Sequence, residues 1–207
     1  MEDWGLDNIV RRELWEEWRA EAFKRFKEDI LIGYADEDIV DLIEEVFRSP
    51  HCFTTSSCSG RITAIDAPYP WLREGSEVLF KKHSPMTPDE LATLINTPVL
   101  TRLWIVVSGP ILHVVTDSVD EALKLLKTMR AEGFKHSGVI SMSSSGVVVE
   151  VISGVWLSLL IRDRNALLIK TSSLTHLNNL INQALGDAKK RLARLKKLFF
   201  EKRVCWD

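Results

Sequence analysis

Nine consecutive positions, Phe53 to Arg61, read F-T-T-S-S-C-S-G-R and place five hydroxyls, a thiol, a glycine and a guanidinium side by side. Hydroxyls both donate and accept hydrogen bonds, and a guanidinium grips carboxylate or phosphate with two parallel donors. The run therefore suits a polar or anionic ligand, and it equally suits a solvated Ser/Thr loop. Cys58 is a potential nucleophile, but no neighbour in sequence lowers the pKa of its thiol. His83 follows Lys81-Lys82 and precedes Ser84-Pro85, at a strand end. His113 lies in the apolar run Ile111 to Val115 and is readable as a packed, hydrogen-bonded side chain or as a proton acceptor.

Several chemistries lack their residues. No two glycines are separated by a single residue, so the G-x-G turn of a dinucleotide site is missing. Gly133 and Gly138 have the separation of a phosphate loop, but Val139 stands where lysine is required. Histidines 51, 83, 113, 136 and 176 form no H-E-x-x-H pair, and Cys52, Cys58 and Cys205 form no C-x-x-C pair. No metal site is expected, and the three cysteines are read as reduced thiols.

Charge is uneven although it nearly balances, at a net −2. Lys189, Lys190, Arg191, Arg194, Lys196, Lys197, Lys202 and Arg203 face one acid, Glu201, in the last stretch, while acids concentrate between Glu2 and Glu45. A local basic patch attracts a polyanion whatever the total charge, though such a run is also an ordinary solvated helix face.

The elements that must position these residues are legible in the spacing of apolar side chains. Ile9, Val10, Leu14, Trp18, Ala22, Phe26 and Ile30 predict a helix from about residue 8 to 30. Ile39, Leu42, Ile43, Val46 and Phe47 predict another, with Asp36 as its N-cap and Pro50 as its end. Trp15, Trp18, Phe23 and Phe26 are either core or a base-stacking surface. Strands are expected at 61–66, 78–81, 103–107 and 111–115, with three more from Val139 onward. Thr87-Pro88-Asp89-Glu90 and Ser118-Val119-Asp120-Glu121 open capped helices, the second closed by Gly133. The final helix, from about Leu174, carries Leu177, Leu180, Ile181, Ala184, Ala188, Leu192, Leu195 and Phe199 on its apolar face.

These elements predict one α+β domain spanning 1–207 with a mixed sheet and a possible internal duplication. An apolar content of 45% and the lack of a run of about 18 apolar residues fit a cytoplasmic protein without membrane segments.

T-T-S-S-C-S-G-R-I, with Leu112-His113-Val114 and Gly133-Phe134-Lys135-His136-Ser137-Gly138, resembles the signature of the tRNA wybutosine-synthesizing protein 3 family. The resemblance runs from the segment Asp29 to Gly33 through the last helix. It implies a barrel-like, non-Rossmann fold and an S-adenosylmethionine-dependent methyltransferase. The implied reaction places a methyl on ring nitrogen N4 of a wybutosine precursor next to the anticodon of phenylalanine tRNA, with neither DNA nor membrane as partner. Position by position it implicates His83 and His113 in catalysis and Ser57, Ser59, Arg61, Ser137 and Gly138 in cofactor binding. It places Ser56, Cys58 and Lys135 against the tRNA, and the basic last helix adds Lys190, Arg194 and Lys197 as contacts to its phosphates. The chain departs from the pattern at Ser108-Gly109-Pro110, where the family has Glu-Pro-Phe, at Ile152-Ser153 and at Leu185. A competing reading, from the basic last helix and the seven tryptophans, is a tRNA-binding module without chemistry.

Overall fold

The computed structural model describes residues 9–206. In chain order the elements are α1 (Arg12–Leu31), α2 (Val40–Arg48), β1 (Cys52–Cys58), β2 (Arg61–Asp66), β3 (Glu77–Lys82), α3 (Pro88–Asn96) and β4 (Arg102–Ser108). Then come β5 (Ile111–Thr116), α4 (Val119–Ala131), β6 (Gly138–Ser143), β7 (Gly146–Ile152), β8 (Trp156–Asp163), β9 (Ala166–Leu167) and α5 (Leu174–Lys202). They group into two interleaved units. The first takes the chain up to Ser59, Pro110–Gly154 and the residues from Arg191, and the second takes Gly60–Gly109 and Val155–Lys190.

The first unit holds an antiparallel sheet in the order β1-β5-β7-β6. Its core joins Trp15 and Phe26 of α1, Leu42, Ile43, Val46 and Phe47 of α2, Leu112 and Val114 of β5, and Leu192, Leu195 and Phe199 of α5. Trp15 and Trp18 stand edge-on to Phe53 with ring centres 5.3 and 5.4 Å apart, which makes most of the α1 aromatic set core. Phe23 is the exception, 41% exposed. α1 begins at Arg12 and not near residue 8, since residues 9–11 are not helical and residue 8 lies outside the described residues. Asp36 caps nothing with its side chain. A short 3-10 turn, Glu37–Ile39, leads into α2 instead, and the Asp36 carboxylate accepts from the Ser59 amide.

The second unit has a five-stranded antiparallel sheet in the order β3-β2-β4-β8-β9. Alternate residues Ile62 and Ala64 of β2 and Leu103, Ile105 and Val107 of β4 pack with Leu91, Leu94 and Ile95 of α3 and Ile181 and Leu185 of α5. Thr87 and Glu90 close the expected capping box on α3. Ser118 likewise accepts the Glu121 amide at the start of α4. Asp66, at the end of β2, accepts from the Leu100, Thr101 and Arg102 amides and the Thr101 hydroxyl, pinning the entry to β4.

Four expectations need correction. The strands form two separate sheets, antiparallel throughout, and not one mixed barrel-like sheet. Edge strands β1 and β6, and β3 and β9, leave both open, so the described residues form no closed barrel. The hydroxyl run is not a loop, because its backbone pairs with β5 from Cys52↔Thr116 to Cys58↔Ile111. Cys52 and Cys205 are joined by a disulfide, and the buried Cys58 is not part of it. Leu180 is 42% exposed, so the buried face of α5 turns through Ile181 and Leu185. No helix among the described residues is long and apolar enough to cross a membrane.

Candidate active site

The hydroxyl strand forms part of the wall of a cleft in the first unit. Its register slips between Thr54 and Ser56, so Thr54 faces Val114 and Ser56 faces His113 while Thr55 is left over. Such a bulge re-aims the side chains around it. Thr54, Thr55, Ser56 and Ser57 line a cleft of about 550 Å³ with the rings of Trp18, Phe26 and Tyr34, the carboxylates of Asp29 and Asp36, and Arg25. That volume lies in the range of small-molecule sites, and the rings stand among polar and charged side chains that can fix a ligand's orientation. The Ser59 N–H donates to Asp36 Oδ2 at 2.9 Å, tying the end of the hydroxyl strand to this carboxylate. Ser59 itself is fully buried.

Strand register places three sequence motifs on one row across the sheet. Ser56 pairs with His113, His113 with Glu150, and Glu150 with Gly138. Side chains so paired share one face of the sheet. Ser56 Oγ lies 3.0 Å from His113 Nδ1, and His113 Nε2 lies 3.1 Å from Glu150 Oε2. All three are partly open to solvent. Gly138 ends the row without a side chain, and nothing stands within 4 Å of where its Cβ would be. Glu150 belongs to none of the sequence motifs. It stands in the valine-rich run of β7, where a single acid at the position facing His113 is the only local signal.

His83 belongs to the second unit, where its Nδ1 lies 3.2 Å from the Gly60 carbonyl oxygen. The Lys189 ammonium donates to the same carbonyl at 3.2 Å. Gly60 holds φ +92°, and a Cβ there would meet Ser108 O at 3.1 Å and Ala188 Cβ at 3.2 Å, so both conformation and space call for glycine. Arg61, half-buried at the start of β2, pairs with Ser108, the first residue of the departing Ser108-Gly109-Pro110 segment.

The remaining expected site residues are spread out. Ser137 is 1% exposed; its hydroxyl accepts from the Ile152 amide, and its carbonyl takes two guanidinium donors of Arg130. Lys135 is exposed on the turn between α4 and β6. On α5, Lys190 pairs with Asp187 at 2.9 Å, Arg194 with Glu132 at 3.0 Å and Lys197 with Glu201 at 3.6 Å. Hydrogen bonds from Lys202 and Arg194 hold the Glu132 carboxyl below the usual range. Much of the basic stripe is thus met by acids of the same chain.

The family model described as Methyltransferase TYW3 matches residues 11–201. The chain belongs to that family. Among its relatives, the protein of Saccharolobus solfataricus named tRNA(Phe) 7-((3-amino-3-carboxypropyl)-4-demethylwyosine(37)-N(4))-methyltransferase is 36% identical, with 89% of each chain aligned. A relative of the same name from Aeropyrum pernix is 40% identical over 61% of this chain and 67% of its own. The solved structure of the PH1069 protein from Pyrococcus horikoshii superposes with a TM-score of 0.81 at 28% identity, covering 89% of this chain and 95% of that one.

Proposed function

We propose that the protein transfers a methyl group from S-adenosylmethionine to ring nitrogen N4 of a wybutosine precursor beside the anticodon of phenylalanine tRNA. The names of its relatives support the acceptor. The donor set of the cleft supports the cofactor. S-adenosylmethionine presents a sulfonium, an ammonium, a carboxylate and an adenine, and the cleft sets three carboxylates, a guanidinium, three aromatic rings and a row of hydroxyls against them. Cations are drawn to carboxylates and to ring faces, and a planar base stacks on rings.

When bound there, the cofactor supplies an activated methyl carbon on sulfur. The chain supplies position and proton handling. Asp29 and Asp36 would hold its cationic groups, Arg25 its carboxylate, and Ser57 a sugar or base edge. Trp18 and Phe26 exclude water. Positioning alone can account for much of the acceleration of such a displacement, because the nucleophile must lie in line with the breaking bond. Ser56 and His113 stand ready for the proton that the acceptor nitrogen gives up.

The observation that carries this reading is the single-face row of Ser56 and His113 beside a cleft of cofactor size. Its test is incubation of the pure protein with S-adenosylmethionine and tRNA verified to carry the demethylated precursor. A mass gain of one methyl on that nucleoside is expected. No gain would overturn the assignment. Calorimetry with S-adenosylmethionine alone then separates an enzyme, which binds it saturably, from a protein that only binds RNA.

A further inference from the structure

We infer that Glu150 is a positioning residue which fixes the tautomer of His113 and so turns Ser56 into a one-way proton relay out of the cleft. The inference rests on the methyl-transfer reading above.

A neutral imidazole donates from one nitrogen and accepts at the other, and the partner of one decides the state of the other. Glu150 Oε2, 3.1 Å from Nε2, can only accept while it is ionised, so Nε2 carries the proton. Nδ1 then carries the lone pair and accepts the Ser56 hydroxyl at 3.0 Å. The serine proton points toward the histidine, and the remaining lone pairs of Oγ are left for a donor in the cleft that Ser56 lines. Rotation of His113 is opposed from both sides, because the three residues are locked in register on adjacent strands. Gly138, opposite Glu150, adds no side chain to compete for the carboxylate.

The step balances as follows. The acceptor nitrogen forms a bond to the methyl carbon while the carbon–sulfur bond breaks and its electron pair returns to sulfur. The proton of that nitrogen passes to Ser56 Oγ as the serine proton passes to His113 Nδ1. The resulting imidazolium lies against the Glu150 carboxylate until it releases a proton to solvent. Ser56 ends as it began. Glu150 never touches the reacting atoms, so its effect is on kcat and not on ligand affinity.

The test uses the full-length protein with its ring nitrogens labelled. Nitrogen NMR of the wild type should show His113 as the Nε2–H tautomer. In Glu150→Gln that preference is lost, kcat for tRNA methylation falls about 10- to 100-fold, in the range for lost outer-shell support of a histidine, and KM and cofactor Kd stay within about two-fold. Glu150→Asp should recover part of the rate and of the tautomer preference. Ser56→Ala combined with Glu150→Gln should lose little more than Ser56→Ala alone. An Nδ1–H tautomer in the wild type, an unchanged kcat in Glu150→Gln, or a loss confined to KM would each overturn the inference. If the wild type adds no methyl to a verified substrate, the functional reading fails by itself, and the tautomer measurement still decides the order of the relay. Should Glu150→Gln fail to fold, the wild-type tautomer remains decisive.

Discussion

Asp36 Oδ2 and the backbone nitrogen of Ser59 are 2.9 Å apart, so a carboxylate that sits before a helix serves a strand instead. Asp36 also lines the cleft. Its two duties are separable by substitution. Asp36→Asn keeps an oxygen for the Ser59 amide and removes the charge. It should melt within a few degrees of the wild type while binding S-adenosylmethionine about tenfold more weakly, a loss of about 1.4 kcal/mol. Asp36→Ala should lose both affinity and melting temperature. Calorimetric titration and thermal denaturation of the two variants check this, and equal cofactor affinity in Asp36→Asn would remove the carboxylate from the binding site.

Gly60→Ala tests the backbone at the other end of the hydroxyl run. A side chain at φ +92° is strained, and here it also presses on Ser108 O and Ala188 Cβ. A cost on the order of 1–3 kcal/mol is expected, the usual range for a non-glycine residue held in a sparsely populated conformation. Urea denaturation should show a lower midpoint with an unchanged slope.

Asp66 gives the second unit a dependence on acid. Burial by itself would push its carboxyl up, but the Thr101 hydroxyl and the amides of Leu100, Thr101 and Arg102 outweigh it and hold the group below the usual carboxylate range. A folded value below the unfolded one, about 3.9, means that the contribution is fully present above that value and is lost as pH falls through the folded one. Asp66→Asn should therefore be less stable than the wild type near neutral pH, with a gap that narrows on acidification below about pH 4. Melting temperatures of both proteins at several pH values decide it, and a gap constant with pH would contradict the assignment.

The basic stripe of α5 supplies a fourth prediction. Because Lys190, Arg194 and Lys197 already pair with acids of the same chain, binding of a phosphate backbone has to compete with those pairs. Reversing all three to Glu should leave melting nearly unchanged, since exposed pairs contribute little. If the stripe tracks the tRNA, its affinity falls and the log-log salt slope flattens by roughly 0.7 to 0.9 per lost contact. An unchanged slope assigns the RNA to another surface.

The amphipathic elements were legible in sequence because their information is local. Thr87 and Ser118 cap helices where their spacing says they must, and the apolar stripe of α5 is displaced only at Leu180. The hydroxyl strand was not legible, since its four hydroxyls conceal the alternation by which strands are recognised, and its bulge interrupts the period. Ser56 and His113 were singled out from motifs, but their partnership and the addition of Glu150 depend on register between strands far apart in the chain. The two sheets were hidden for the same reason. Each unit is assembled from separated stretches, and no linker marks the change.

The disulfide between Cys52 and Cys205 spans 153 positions of sequence. Most of the polypeptide is consequently a covalent ring with a tail. One cut by a protease at any exposed loop between those cysteines opens the ring without releasing a fragment, so the nicked molecule keeps its mass apart from one added water. Only after reduction would the pieces separate on a denaturing gel.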